Sequence, residues 1–172
     1  MWQMEAIRLW LCERAPLARL QALSLCVDDA MIVLAIDPGE TTGWCRVNTT
    51  AGSIEGGSFP LWEGLRKPCG DGHKIVIPPD VMVVERFMLY PWIAKRLKWA
   101  KLETVEVIGV IKYLAELNEV PVVMQSARAG KSVQLAKKPE GFDKHACDAL
   151  RHALVFLKRE GLLTDELKEW IK

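Results

Sequence analysis

The chain has 172 residues, half of them hydrophobic and 26% charged, which suits one globular domain with an appendage and enough material for a real core. Lysine and arginine number 23 against 22 aspartate and glutamate, so no strongly basic or acidic coat dominates, and no apolar run approaches the ~20 residues of a bilayer span. The 5 cysteines show no CxxC spacing, which argues against a disulfide framework and a zinc ribbon; Cys69 and His73 form only a lone C-x3-H.

Residues 1 to 30 carry Leu9, Leu11, Leu17, Leu20 and Leu23, a helical pattern broken near Pro16, while Glu5, Arg8, Glu13, Arg14 and Arg19 interrupt any signal-peptide core. They read as an N-terminal helical extension, and the protein is expected in the cytoplasm with no membrane partner. MIVLAI (31 to 36) is β-branched-rich and continuous, as in a strand covered on both faces. Asp37 sits where that strand leaves the core, just before the turn pair Pro38 and Gly39; taken alone it reads as an Asx-type turn. GWCRVN (43 to 48) and SIEGGSF (53 to 59) are the second and third strands of an antiparallel meander, joined by NTTAG. The prolines and glycines of residues 60 to 80 spell loop, and VMVVE (81 to 85) is another buried strand ending in a carboxylate.

ETVEVIGVIKYLAELN (103 to 118) has helical spacing, but nine of residues 105 to 117 are apolar, too many for one buried stripe. This helix is expected to face both the sheet and a second partner, with Ile111 or Ile108 turned outward. PVVMQ (121 to 125) is a further strand and ARAGKSVQLAKK (127 to 138) a weak helix or loop. KHACDALRHALVFLKRE (144 to 160) is a strong helix ended by Gly161, and TDELKEWIK is a short C-terminal helix capped by Thr164 or Asp165.

Charge clusters beneath the neutral total. Residues 86 to 101 hold Arg86, Lys95, Arg96, Lys98 and Lys101 without an acid, and residues 128 to 138 hold Arg128, Lys131, Lys137 and Lys138 without one. Such segments suit a phosphate backbone, and Phe87, Tyr90, Trp92 and Trp99 could stack on bases; the alternative is a solvated face with buried aromatics.

His145 and Asp148, three apart, share one face near the start of their helix. With the strand-end carboxylates Asp37 and Glu85 they make four oxygen or nitrogen ligands, and three carboxylates brought together repel unless divalent cations neutralise them. His152, one turn beyond Asp148, reads as a core or surface histidine rather than a partner behind the ligands.

The order of these elements resembles the ribonuclease H-like fold, an α/β mixed sheet with an antiparallel three-strand meander plus parallel strands, flanked by helices. In detail it resembles the RuvC-type Holliday-junction resolvases of bacteria and phages, through LAIDPG with TTGW (34 to 44), VVE (83 to 85), ETVEVIGVIKYL (103 to 114) and HACDALRHAL (145 to 154). The resemblance implies a nuclease domain over residues 31 to 160, followed by a C-terminal helix over 161 to 172. It implies a homodimer through helix 103 to 118 that nicks branched DNA with two Mg2+ per active site, Mn2+ substituting. Asp37, Glu85 and Asp148 map to the metal-binding carboxylates and His145 to a ligand position where family members carry Asp or His.

Three other readings compete. Actin-like kinases and ATPases use a comparable aspartate-glycine-threonine turn but need two lobes. A non-catalytic DNA-structure binder would not need all four ligand positions filled. An RNA-processing or RNA–DNA hybrid nuclease of the same fold is the serious alternative, since a metal site does not read the sugar.

Overall fold

The structure, a computed structural model, describes residues 31–60, 78–88 and 103–172. The expected extension over residues 1 to 30, most of the loop over 60 to 80, and the candidate DNA contacts Lys95, Arg96, Lys98 and Lys101 lie outside the described residues.

Strands β1 (Ile32–Asp37), β2 (Thr41–Asn48), β3 (Ser53–Pro60), β4 (Val81–Arg86) and β5 (Val122–Ser126) form one sheet in the order β3-β2-β1-β4-β5. β1 to β3 are the expected antiparallel meander, whereas β1, β4 and β5 run parallel. Helix α1 (Glu103–Leu117) connects β4 to β5, α2 (Ala127–Lys131) follows β5 directly, α3 (Lys144–Arg159) crosses the sheet, and α4 (Asp165–Lys168) closes the chain. The result is the mixed, helix-flanked sheet with a three-strand antiparallel meander that the sequence predicts. No helix among the described residues is long and apolar enough to cross a membrane.

Strand pleating divides the sheet by residue parity. Leu34 and Ile36 of β1 and Met82 and Val84 of β4 join Val107, Ile108, Ile111 and Ala115 of α1 in one core, with Trp44, Val122 and Met124 packed against it. The alternate residues of the same strands face the other way, toward α3. That face is apolar at Val33, Ala35, Val81 and Val83, all fully buried, and turns polar only at the strand ends, with Asp37, Glu85 and Gln125. The register sets the three nearly level, for Ile36 pairs with Val84 and Glu85 with Gln125.

The two helices exchange the roles their composition suggests. α1 buries a single stripe, and Ile108 and Ile111 lie inside its own core rather than outward, while Val105, Tyr113 and Leu117 are exposed. α3 is the helix covered nearly all round, with Ala146, Cys147, Ala149, Leu150 and every residue from His152 to Leu157 buried. Its outer cover comes from α2 and from the irregular segment after it, held in turn by the C-terminal residues: the Ala136 amide donates to the Trp170 carbonyl, the Lys172 amide to the Gln134 carbonyl, and Leu135 bridges Ile171.

Candidate active site

Asp37 is the last residue of β1 rather than part of the turn, pairing with Gly43 on β2. The turn between them is pinned by the buried Thr42, whose hydroxyl donates to the Gly39 carbonyl at 3.1 Å and accepts from the Gly39 amide at 3.3 Å. Gly43 brings α3 close: a Cβ there would lie 2.1 Å from the His145 carbonyl oxygen, so only glycine lets the first turn of α3 rest on β2. The helix start is capped by Asp143, which the motifs in the sequence left unremarked. Its side chain accepts from the Ala146 amide at 2.9 Å and from the Ser58 hydroxyl. Burial alone would raise the Asp143 carboxyl, but these bonds and His145 hold it below the usual range.

Starting one turn apart, the polar side chains of α3 then fall along the strand ends. His145 Nδ1 stands 3.9 Å from Asp37 Oδ2. His152, two turns on, has Nε2 at 2.8 Å from Glu85 Oε2 and Nδ1 at 2.8 Å from Gln125 Oε1. Asp148, between them on the helix, accepts from Arg151. Burial pushes the Asp37 carboxyl up to about 6, with further contributions from the negative charges of Glu85 and Asp148, against which His152 and His145 act weakly. The charges of Glu85, Asp148 and His145 are thus all felt at Asp37, the last residue of β1.

Their side chains are nevertheless partnered within the chain, and among the described residues no group of three His, Cys, Asp or Glu is arranged to hold a metal ion. His152 is the core histidine that the sequence allowed, and the structure adds that its ring links Glu85 to Gln125. Arg151 and Gln125 were missed. Gln125 had a usable signal, standing at the end of a parallel strand as Asp37 and Glu85 do.

Two grooves flank the carboxylates. One is lined by Pro38, Glu85, Arg86, Phe87, Thr104 and Arg128. Arg86 and Arg128 are exposed there, whereas Phe87 is half-buried against the α1 core. The other is lined by Lys137, Lys138, Lys144 and Arg151 with Asp143 and Cys147. Lys138 is open, and Lys137, also exposed, lies 3.6 Å from Glu169 and 4.4 Å above the Trp170 ring. Lys131 is exposed on α2, in neither groove.

The chain is similar in structure to RuvC of Thermus thermophilus. RuvC in complex with a Holliday junction substrate is 22% identical at a TM-score of 0.49, and a second RuvC structure is 20% identical at 0.47; each match covers 77% of this chain and 98% of RuvC. No protein-family model and no curated protein matches the chain. The chemistry therefore rests on the side chains just described.

Proposed function

We propose that this chain is a divalent-metal-dependent endonuclease that nicks branched DNA, a Holliday-junction resolvase. The observation that carries the reading is the pair of strand-end carboxylates Asp37 and Glu85 with Asp148 of α3, whose charges add to burial in raising the Asp37 carboxyl to about 6. Groups that repel in this way at a solvent-accessible strand end suit a site that is completed by cations. The RuvC structure with a Holliday junction supplies the substrate class for the proposal.

Asp37, Glu85, Asp148 and His145 would hold Mg2+ or Mn2+, two per site. Bound there, the cations supply a water of lowered pKa and neutralise the charge growing on the scissile phosphate and the leaving oxygen. The chain's own residues do the rest. Arg151 donates to one oxygen of Asp148, which leaves the other oxygen for a cation, and its guanidinium lines the groove with Lys138 and Lys144, where DNA phosphates would be met. Arg86 and Arg128 serve the opposite groove. The exposed face of α1, with Val105, Tyr113 and Leu117, is where a second copy would dock and set two sites against the two strands of a junction.

The test is cleavage of matched substrates (four-way junction, flap, duplex, RNA–DNA hybrid and structured RNA) with Mg2+ or Mn2+. Paired nicks in the junction support the reading. Cutting confined to the hybrid or the RNA would transfer the site to the alternative nuclease class, and binding without cutting on any substrate would leave a DNA-structure binder.

A further inference from the structure

His152 is 1% exposed, yet both its ring nitrogens sit 2.8 Å from polar atoms of two different strands. The ring has no room to turn away, because α2 lies on it: a Cβ on Gly130 would come within 2.8 Å of Nε2 and 3.0 Å of Cε1. Only a glycine at that position lets the imidazole occupy its place.

Matching donors to acceptors favours one placement of the ring proton. A carboxylate only accepts, so the nitrogen facing Glu85 must donate, which makes Nε2 the protonated one. In a neutral ring Nδ1 then accepts, and the group opposite it must be a donor. Gln125 has one to offer, its Nε2, which is buried and finds no hydrogen-bond partner among the described residues. Turning the amide by half a rotation puts that NH2 against Nδ1 and leaves the carbonyl oxygen in the unpartnered position, where an unmet acceptor costs less than an unmet donor. The chain Gln125 N–H to Nδ1, Nε2–H to Glu85 gives the amide nitrogen and both ring nitrogens a partner.

We propose that His152, fixed by Gln125 and Gly130, is a positioning residue that binds Glu85 Oε2 and so holds that carboxylate in place at the end of β4, leaving its other oxygen for a ligand. The proposal deepens the nuclease reading and rests on the metal site it assigns. A ligand carboxylate anchored in this way loses little freedom on meeting a cation, and removing such an anchor characteristically lowers metal affinity by about 10- to 100-fold. A glutamate side chain left loose would have to be ordered at each binding event.

Two measurements test it. Mn2+ alone is titrated calorimetrically into wild type, His152→Leu and His152→Gln, with thermal melts to establish that each is folded. The leucine variant should bind Mn2+ about 10- to 100-fold more weakly, and the glutamine variant, whose amide can still donate to Glu85, should return to within a few-fold of wild type. Equal Mn2+ affinity in a folded leucine variant would overturn the proposal, as would a folded glutamine variant no better than leucine. The second measurement needs no variant to fold: the ring 15N signals of wild-type His152 at pH 8, metal-free, should show protonated Nε2 and an unprotonated, accepting Nδ1. An Nδ1–H or doubly protonated ring would overturn the assignment. A wild type that binds no Mn2+ would sink the metal reading, and the ring signals would still decide whether His152 holds Glu85.

Discussion

The two long helices lie on opposite faces of the same strands and do opposite things with them. α1 meets Leu34, Ile36, Met82 and Val84 with a plain apolar stripe and leaves Val105, Tyr113 and Leu117 in solvent. α3 is buried almost throughout, yet it carries His145 and His152, which reach Asp37 and Glu85 at the strand ends, and Asp148 and Arg151 paired between them. Chemistry is therefore confined to the polar end of the α3 face. Changes at the apolar residues under either helix should act on folding, and changes at the polar strand ends and the polar residues of α3 on ligand binding and catalysis at modest cost to the fold.

The sharpest test on the α3 side is Asp148→Asn, which keeps shape and removes a ligand charge. Junction cleavage should fall on the order of 10^3-fold or more, with melting temperature and junction binding in EDTA nearly unchanged. Equal loss of binding and cutting would break the separation.

On the α1 side, Ile111→Glu should prevent folding outright, since it places a charge in a fully buried position, at a cost of several kcal/mol. Tyr113→Glu, two residues on and exposed, should fold normally and sediment as a monomer where the wild type is a dimer at micromolar concentration. A wild type that is itself monomeric would remove the premise of the second half.

A smaller effect of opposite sign is expected at Asp37. With its carboxyl raised from 3.8 to about 6 in the fold, the group is protonated in both states below pH 3.8 and costs nothing. As pH rises through that window the unfolded chain ionises first and stability falls, by up to about 3 kcal/mol once pH exceeds 6. Asp37→Asn should thus raise the metal-free melting temperature at pH 8 and converge with wild type near pH 4. Saturating Mg2+ should narrow the gap at pH 8 by stabilising only the wild type.

The smallest and cleanest contrast uses two glycines. Gly109 on α1 has open space around it, so Gly109→Ala should stabilise by about 0.5–1 kcal/mol through helix propensity alone. Gly43→Ala, whose added carbon would strike the backbone of α3 at His145, should destabilise by about 1–3 kcal/mol and weaken Mn2+ binding as well. Chemical denaturation of both variants checks the pair.

Much of this was legible in the chain because it depends on local pattern. The strands MIVLAI and VMVVE showed by their continuous apolar runs, their terminal carboxylates by breaking those runs, and the helix over 144 to 160 by its periodicity. What did not show depends on partners distant in sequence. His152 takes its meaning from Glu85, 67 residues away, and Gln125, 27 away. Lys137 looked free until Glu169 and Trp170 closed on it. The coverage of α3 comes from an irregular segment with no periodicity of its own, so α1, richer in apolar residues at its outer face, seemed the more buried helix.

The parity of the strands sets limits on insertion and deletion. Adding one residue within β1 or β4 would swing Asp37 or Glu85 into the α1 core and bring an isoleucine or valine out in its place, so a single-codon change would abolish the site and unfold the sheet together. Two added residues restore the alternation and only displace the strand end. The turn at Asn48–Gly52, whose Asn48 side chain accepts from the Thr50 and Ala51 amides on the exposed rim, is tied to the sheet only at Thr49, so its tip at Thr50 and Ala51 is free of the parity constraint. Length variation in this lineage should therefore collect there and be absent between Ile32 and Asp37.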